Sequence, residues 1–237
     1  MVFESLASNL GPADFDGFWD TFVYDVGGDD GLAAASPVGE SEAEDVWELD
    51  ADNGFVDVHW SAYYYEGVSF LYANGITTGT SPTTYAPDAA VTRGQMATFL
   101  FRLAGSQWTL EEEPFTDVYG GTYFFEPVKW AYDAGITTGT SATTFSPDDS
   151  VTRAQMAVFL WRLAGEPQPT QPHGFADVPS GTFYSTAVQW LRESGITSGT
   201  SPTTYSPNNA VTRAQMAAFL HRLAADYGWT PTWAPVT

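Results

Sequence analysis

Apolar residues fall at helical spacing in short stretches along most of this chain. Met96, Phe99, Leu100 and Leu103 stand at i, i+3, i+4 and i+7, the stripe of a helix that buries one face. A shorter helix is predicted upstream of each such stripe. In its third occurrence Ala187, Val188 and Leu191 share a face, with Trp190 beside them, from Tyr184 to Ser194. Gly195 follows where a left-handed C-terminal cap is expected, as do Gly75 and Gly135 in the other copies. Between the two helices runs a polar loop, Gly-Ile-Thr-x-Gly-Thr-Ser-x-Thr-Thr-Tyr/Phe-x-Pro. Ile76 and Tyr85 are expected to pin it to the core, as are Ile136 with Phe145 and Ile196 with Tyr205.

The pattern occurs three times at a constant spacing of 60 residues, with Arg93, Arg153 and Arg213 in register. A repeat this regular is one supersecondary unit in three copies, and a site in one copy is expected in all three. The second helix has an explicit start. Thr92, Thr152 and Thr212 each precede Gln95, Gln155 and Gln215 by three residues, the spacing of a capping box. Val91 with Met96 forms a hydrophobic staple around it, as do Val151 with Met156 and Val211 with Met216. Arg102, Arg162 and Arg222 lie in the last turn, where a cation suits the helix dipole. Gly105 and Gly165 end the first two copies; Ala225 stands in the third, so its exit is expected to differ.

A helix–loop–helix of this size cannot hide its apolar face alone, whereas three copies can. The predicted fold is mainly α: three repeats packed as a pseudo-threefold unit, helical at the centre with loops outside. The organisation is an acidic aromatic arm at 1–54, repeats at 55–114, 115–174 and 175–225, and a tail at 226–237.

Charge narrows the function. The 237 residues carry a formal charge of −21. The first 54 residues hold 14 acidic side chains and no lysine or arginine. Nucleic acid is excluded as a partner, because phosphate binding needs clustered cations. No apolar run is long enough to span a bilayer, so no membrane insertion is expected. The first residues lack the basic-then-apolar pattern of a secretory signal. No cysteine is present, and no cofactor motif or metal-ligand spacing recurs. His59, His173 and His221 occupy unrelated repeat positions, and His221 fills an aromatic slot. Asp14-Phe15-Asp16-Gly17 echoes a calcium loop without the remaining ligand spacing, and reads as a turn.

Arg93, Arg153 and Arg213 carry the chemistry. Each sits at the first helical position, where the dipole disfavours a cation. That helix end also offers backbone N–H groups, which with a guanidinium would make a small anion site. The alternative is a structural ion pair, for instance with Asp57, Asp117 or Asp177, or with Asp88 or Asp148. Spacing weighs the two evenly. Tyr63, Tyr64, Tyr65, Tyr123, Phe124, Phe125, Phe183 and Tyr184 cluster before the first helices; sugar sites use such rings, but core packing is favoured. Lys129, the sole lysine, is expected to be solvated.

Phe-x-Asp-Val, a first-helix aromatic, Gly-Ile-Thr-x-Gly, Phe/Tyr-x-Pro and Val-Thr-Arg-Ala-Gln, with Gly94 in place of the alanine in the first copy, follow in that order three times. This order resembles the S-layer homology (SLH) domain over about residues 55 to 225. Known members resemble a three-pronged spindle and anchor proteins non-covalently to bacterial walls by binding secondary cell-wall polysaccharides, often ones carrying ketal-linked pyruvate. The resemblance therefore implies a non-catalytic anchor at the extracellular bacterial surface, taking an acidic cell-wall polysaccharide as partner. Its hallmark Thr-Arg-Ala-Glu falls on Thr92 to Gln95, Thr152 to Gln155 and Thr212 to Gln215, so the ligand-gripping arginine maps to Arg93, Arg153 and Arg213. The remaining candidate contacts are Gln95, Gln155 and Gln215, Gly75, Gly135 and Gly195, and the aromatics Trp130 and Trp190. Gln replaces the family Glu in every copy, which keeps the cap and removes a charge. In the first copy Gly67, Ser69 and Phe70 replace Pro127, Lys129 and Trp130, so the grooves between modules are not expected to be equal. A rival reading is a structural protein of a surface layer, filament or virion, with residues 1–54 making self-association contacts.

Overall fold

A computed structural model describes residues 53–106, 114–226 and 228. The expectations placed on residues 1–52 and on the tail beyond 226, docking of either segment and the calcium-like turn among them, lie outside the described residues. Six α-helices form three pairs: α1 (Tyr65–Ala73) and α2 (Arg93–Leu103), α3 (Phe125–Asp133) and α4 (Arg153–Leu163), α5 (Ser185–Glu193) and α6 (Arg213–His221). The fold is mainly helical in three repeats. All three capping boxes form: each Thr hydroxyl accepts from the Gln backbone N–H, and each Gln side chain accepts from the Thr N–H. Replacing Thr152 by alanine is expected to lower stability by about 1 kcal/mol, measured by urea denaturation.

The modules are interlocked rather than stacked. The closest helix pairs are α1 with α6, α2 with α3, and α4 with α5, so each first helix packs on the preceding module's second helix and the last pair closes a ring. Gly67 permits one such approach. A Cβ there would come within 2.7 Å of the Ala217 backbone.

The loop expectation needs correcting at the centre. The extended residues before each second helix lie inside, because their backbone groups bond to one another around the pseudo-threefold axis. Val91 donates to Val211, Val211 to Val151 and Val151 to Val91, each at 2.9 Å. All three valines are fully buried. Ile76, Ile136, Ile196, Tyr85, Phe145 and Tyr205 are buried and hold the polar loops down, as the pattern predicts. Within each loop Gly79, Gly139 and Gly199 adopt positive φ of 80°, 80° and 86°. The third exit does differ: after α6 the chain enters a π-helical turn, Arg222–Asp226.

Lys129 is not solvated. It is 8% exposed, its stem covered within α3 and its ammonium 5.4 Å from the Phe125 ring centroid.

Candidate ligand grooves

The aspartate of each Phe-x-Asp-Val motif shapes the groove loop. Asp57 accepts from the N–H groups of Tyr85 and Ala86, both at 2.7 Å. Asp117 does the same for Phe145 and Ser146, and Asp177 for Tyr205 and Ser206. The clamp holds Ala86, Ser146 and Ser206 in the left-handed region, at φ of 57° to 58°. These carboxylates are thereby committed to the backbone. Burial pushes the Asp177 carboxyl up, but hydrogen bonds from the Tyr205, Ser206 and Asp177 amides and the charge of Arg153 outweigh it and hold it below the ordinary aspartate value. A group lowered on folding stabilises the fold above its unfolded value and loses that contribution as pH falls through its folded value. Asp177→Asn is expected to cost about 2 kcal/mol at pH 7. The gap from wild type should close on acidification below about pH 4, as melting across pH would record.

Arg93, Arg153 and Arg213 are 3%, 3% and 4% exposed. Neither of the two readings in its simple form describes them. The helix N–H groups are not open to an external anion, because the next module's loop takes them. Arg93 N–H donates to Asp149 O and Gly94 N–H to Pro147 O, at 2.9 and 2.8 Å. Arg153 and Ala154 donate likewise to Asn209 and Pro207, and Arg213 and Ala214 to Ala89 and Pro87. Nor are the guanidinium groups neutralised by carboxylates. Among the described residues no ion pair within 4.0 Å joins them to Asp or Glu, and the bridge present is Arg162 to Glu166. Each Nε donates to a carbonyl in the next module instead: Arg93 to Phe145 and Arg153 to Tyr205 at 2.6 Å, Arg213 to Tyr85. Each guanidinium also lies between two rings. Arg93 is 4.5 Å from the Phe145 centroid and 5.6 Å from that of Phe159, and the other two repeat this arrangement. Burial pushes all three below the ordinary guanidinium value. One terminal nitrogen, Nη2, of each is buried without a hydrogen-bond partner.

Three grooves result, each drawing on all three modules. The first is walled by the Thr77–Thr80 loop and by Gln95, Phe99 and Arg102 of α2, with Arg213 and Tyr123 contributed by neighbours; it holds about 360 Å³. The second sets the Thr137–Thr140 loop and α4 against Arg93 and Phe183, in about 440 Å³. The third sets the Thr197–Thr200 loop and α6 against Arg153 and Tyr63, in about 530 Å³. A second cation enters each. Arg102, Arg162 and Arg222 donate to the carbonyls of Ile76, Ile136 and Ile196 at 3.0 to 3.2 Å, and stand on the groove wall.

Gln95, Gln155 and Gln215 line the grooves with their carbonyl oxygen committed to the cap. The cap does not use their amide N–H groups. Trp130 and Trp190 are not groove platforms. At 5% and 4% exposure they belong to the core. Gly75, Gly135 and Gly195 form the helix caps and do not line the three grooves; Gly79, Gly139 and Gly199 do. The core assignment of the aromatic cluster fails at three positions. Tyr63, Tyr123 and Phe183 are 65%, 60% and 72% exposed and form the groove lips. Burial pushes the Tyr63 and Tyr123 hydroxyls up, and those hydroxyls face the Thr212 and Thr92 side chains.

The S-layer homology domain family matches residues 56–97, 114–157 and 174–217. The chain belongs to the S-layer homology domain family. Membership associates it with the cell surface or cell wall. Among similar proteins, an endoglucanase of Bacillus sp. (strain KSM-635) is 40% identical over 109 residues, 46% of this chain and 11% of the relative. A cell surface protein of Thermoanaerobacter kivui is 31% identical over 130 residues, 53% of this chain and 17% of the relative. An S-layer protein of Bacillus thuringiensis subsp. finitimus is 26% identical over 187 residues, 75% of this chain and 22% of the relative. The chain thus spans less than a quarter of the length of each. No helix among the described residues is long and apolar enough to cross a membrane.

Proposed function

We propose that this SLH chain is a non-catalytic anchor that holds an acidic cell-wall polysaccharide in its three grooves. One observation carries the reading. In a chain of formal charge −21, six of the eight basic side chains line these grooves. Positive charge is thus withheld from the rest of the surface and concentrated where a ligand fits. The three buried guanidinium groups each keep one nitrogen unpartnered, which suits a carboxylate such as a ketal-linked pyruvate. The exposed lip ring offers a face for a sugar, and the loop threonines offer hydroxyls. A charge-assisted bond contributes about 1.5–3 kcal/mol, so one groove binds weakly and three on one polymer gain by avidity.

The lips give a test that spares the fold. Replacing Tyr63, Tyr123 and Phe183 by alanine removes exposed rings, so melting should move little. Cosedimentation with purified sacculi should fall at least tenfold. Chemical removal of secondary polymers from the sacculi should abolish wild-type binding. Undiminished binding to stripped sacculi would reject the glycan reading. Subunit contacts in a surface layer would then be favoured, and light scattering would detect the self-association.

A further inference from the structure

The first groove continues past Thr98 and Tyr123. A further cavity of about 540 Å³ adjoins it and shares Thr98, Arg102 and Tyr123 with it. Ser106, Thr122 and Glu126 complete its polar lining, and Phe101 and Pro127 its apolar one. Two oxygens among these residues are sequestered without a hydrogen-bond partner: Ser106 Oγ and Glu126 Oε2. Such oxygens call for a donor. The Thr98 hydroxyl is spent on Gly94 O at 2.9 Å and that of Thr122 on Tyr119 O at 2.9 Å, so each retains acceptor capacity.

We propose that this cavity is a second sugar subsite, which takes an uncharged sugar unit next to the acidic unit held in the first groove. It rests on the groove reading above. Glu126 decides the class of ligand. A carboxylate accepts from sugar hydroxyls and repels a second acidic unit, so the unit bound here is neutral. The Phe101 and Tyr123 rings supply the apolar contact that a pyranose face needs, and Arg102 joins the two subsites.

The same set of side chains is incomplete at the other two junctions. At the second, Val158 and Thr186 stand in place of Thr98 and Glu126, and Glu166 in place of Ser106 pairs with Arg162 at 3.9 Å. At the third, Glu66 keeps the carboxylate, but Ala62 and Ala218 replace both threonines. The first groove therefore reads two units of the polymer where the others read one.

Residue-resolved NMR titration of the full chain tests this. The probes are a monosaccharide carrying a ketal-linked pyruvate and its disaccharide with an unmodified neutral sugar. Both should shift the Thr77–Thr80 amides; only the disaccharide should also shift Ser106, Thr122 and Glu126. In the first groove the disaccharide should bind about tenfold tighter. Glu126→Ala and Ser106→Ala should each erase most of that gain while leaving monosaccharide shifts at Thr77–Thr80 unchanged, which also shows that the variants fold. Equal affinity for both probes, or a gain that survives Glu126→Ala, overturns the second subsite and leaves the groove reading intact. Shifts from neither probe overturn both.

Discussion

Replacing Arg93, Arg153 and Arg213 together by alanine is expected to abolish folding along with ligand binding. Each truncation removes a hydrogen bond from a charged donor to a buried carbonyl and the contact of a guanidinium with two rings. It also leaves a cavity between modules. A loss of about 3 kcal/mol per site follows, and three such losses, about 9 kcal/mol together, take up most or all of the roughly 5–15 kcal/mol that holds a typical domain folded. Their burial makes the three side chains part of the packing between modules as well as candidate ligand contacts. Arg153→Ala alone should stay folded with a melting temperature lower by several degrees. Arg153→Lys should keep the charge but lose the fork and the stacking, and so recover only part of the stability. Far-UV dichroism melts decide the matter. A triple variant that melts within two degrees of wild type would contradict the buried placement.

Gly139→Ala, like the same change at Gly79 and Gly199, is expected to be among the most damaging methyl additions. The residue sits at φ 80°, where an L side chain is strained. Its Cβ would stand 2.5 Å from both the Thr144 carbonyl oxygen and the Phe115 ring, and 2.6 Å from the Ser141 carbonyl oxygen. Two of these neighbours are backbone and cannot swing away. Strain and overpacking together should cost about 3–5 kcal/mol. The damage should also be local to function, because the Thr137–Thr140 loop walls the second groove. Urea denaturation gives the stability loss, and the NMR titration should lose signals from the second groove first. By contrast Gly135→Ala meets no atom within 4 Å and should cost only the strain of its positive φ.

The helices and their caps were legible because their signals are local. Thr92 and Gln95 lie three residues apart, and the box they form needs nothing from elsewhere in the chain. The polar loops were legible through Ile76 and Tyr85, whose burial follows from apolarity alone. The fate of Arg93 was not, because its partner Phe145 lies 52 residues away, and for Arg213 and Tyr85 the separation is 128. No spacing rule reaches across modules in that way. The groove lips were missed for another reason. Tyr63, Tyr64 and Tyr65 are all aromatic, so no alternation of polar and apolar residues tells which ring faces out. The signal available was threefold recurrence of an aromatic at 63, 123 and 183, read as packing rather than as a rim. Lys129 misled because its charge suggested water, while its long stem is covered in α3.

The triangle of valine backbone bonds fixes more than geometry. An open array of repeats can grow or shrink by one unit and remain sound, since each added copy finds the same neighbour. Here the first copy must meet the third, and excision of any copy leaves two rims with nothing to join. The number of binding clefts is thereby set by circular closure. A gene for this fold can gain clefts by duplicating whole trios, not by lengthening one.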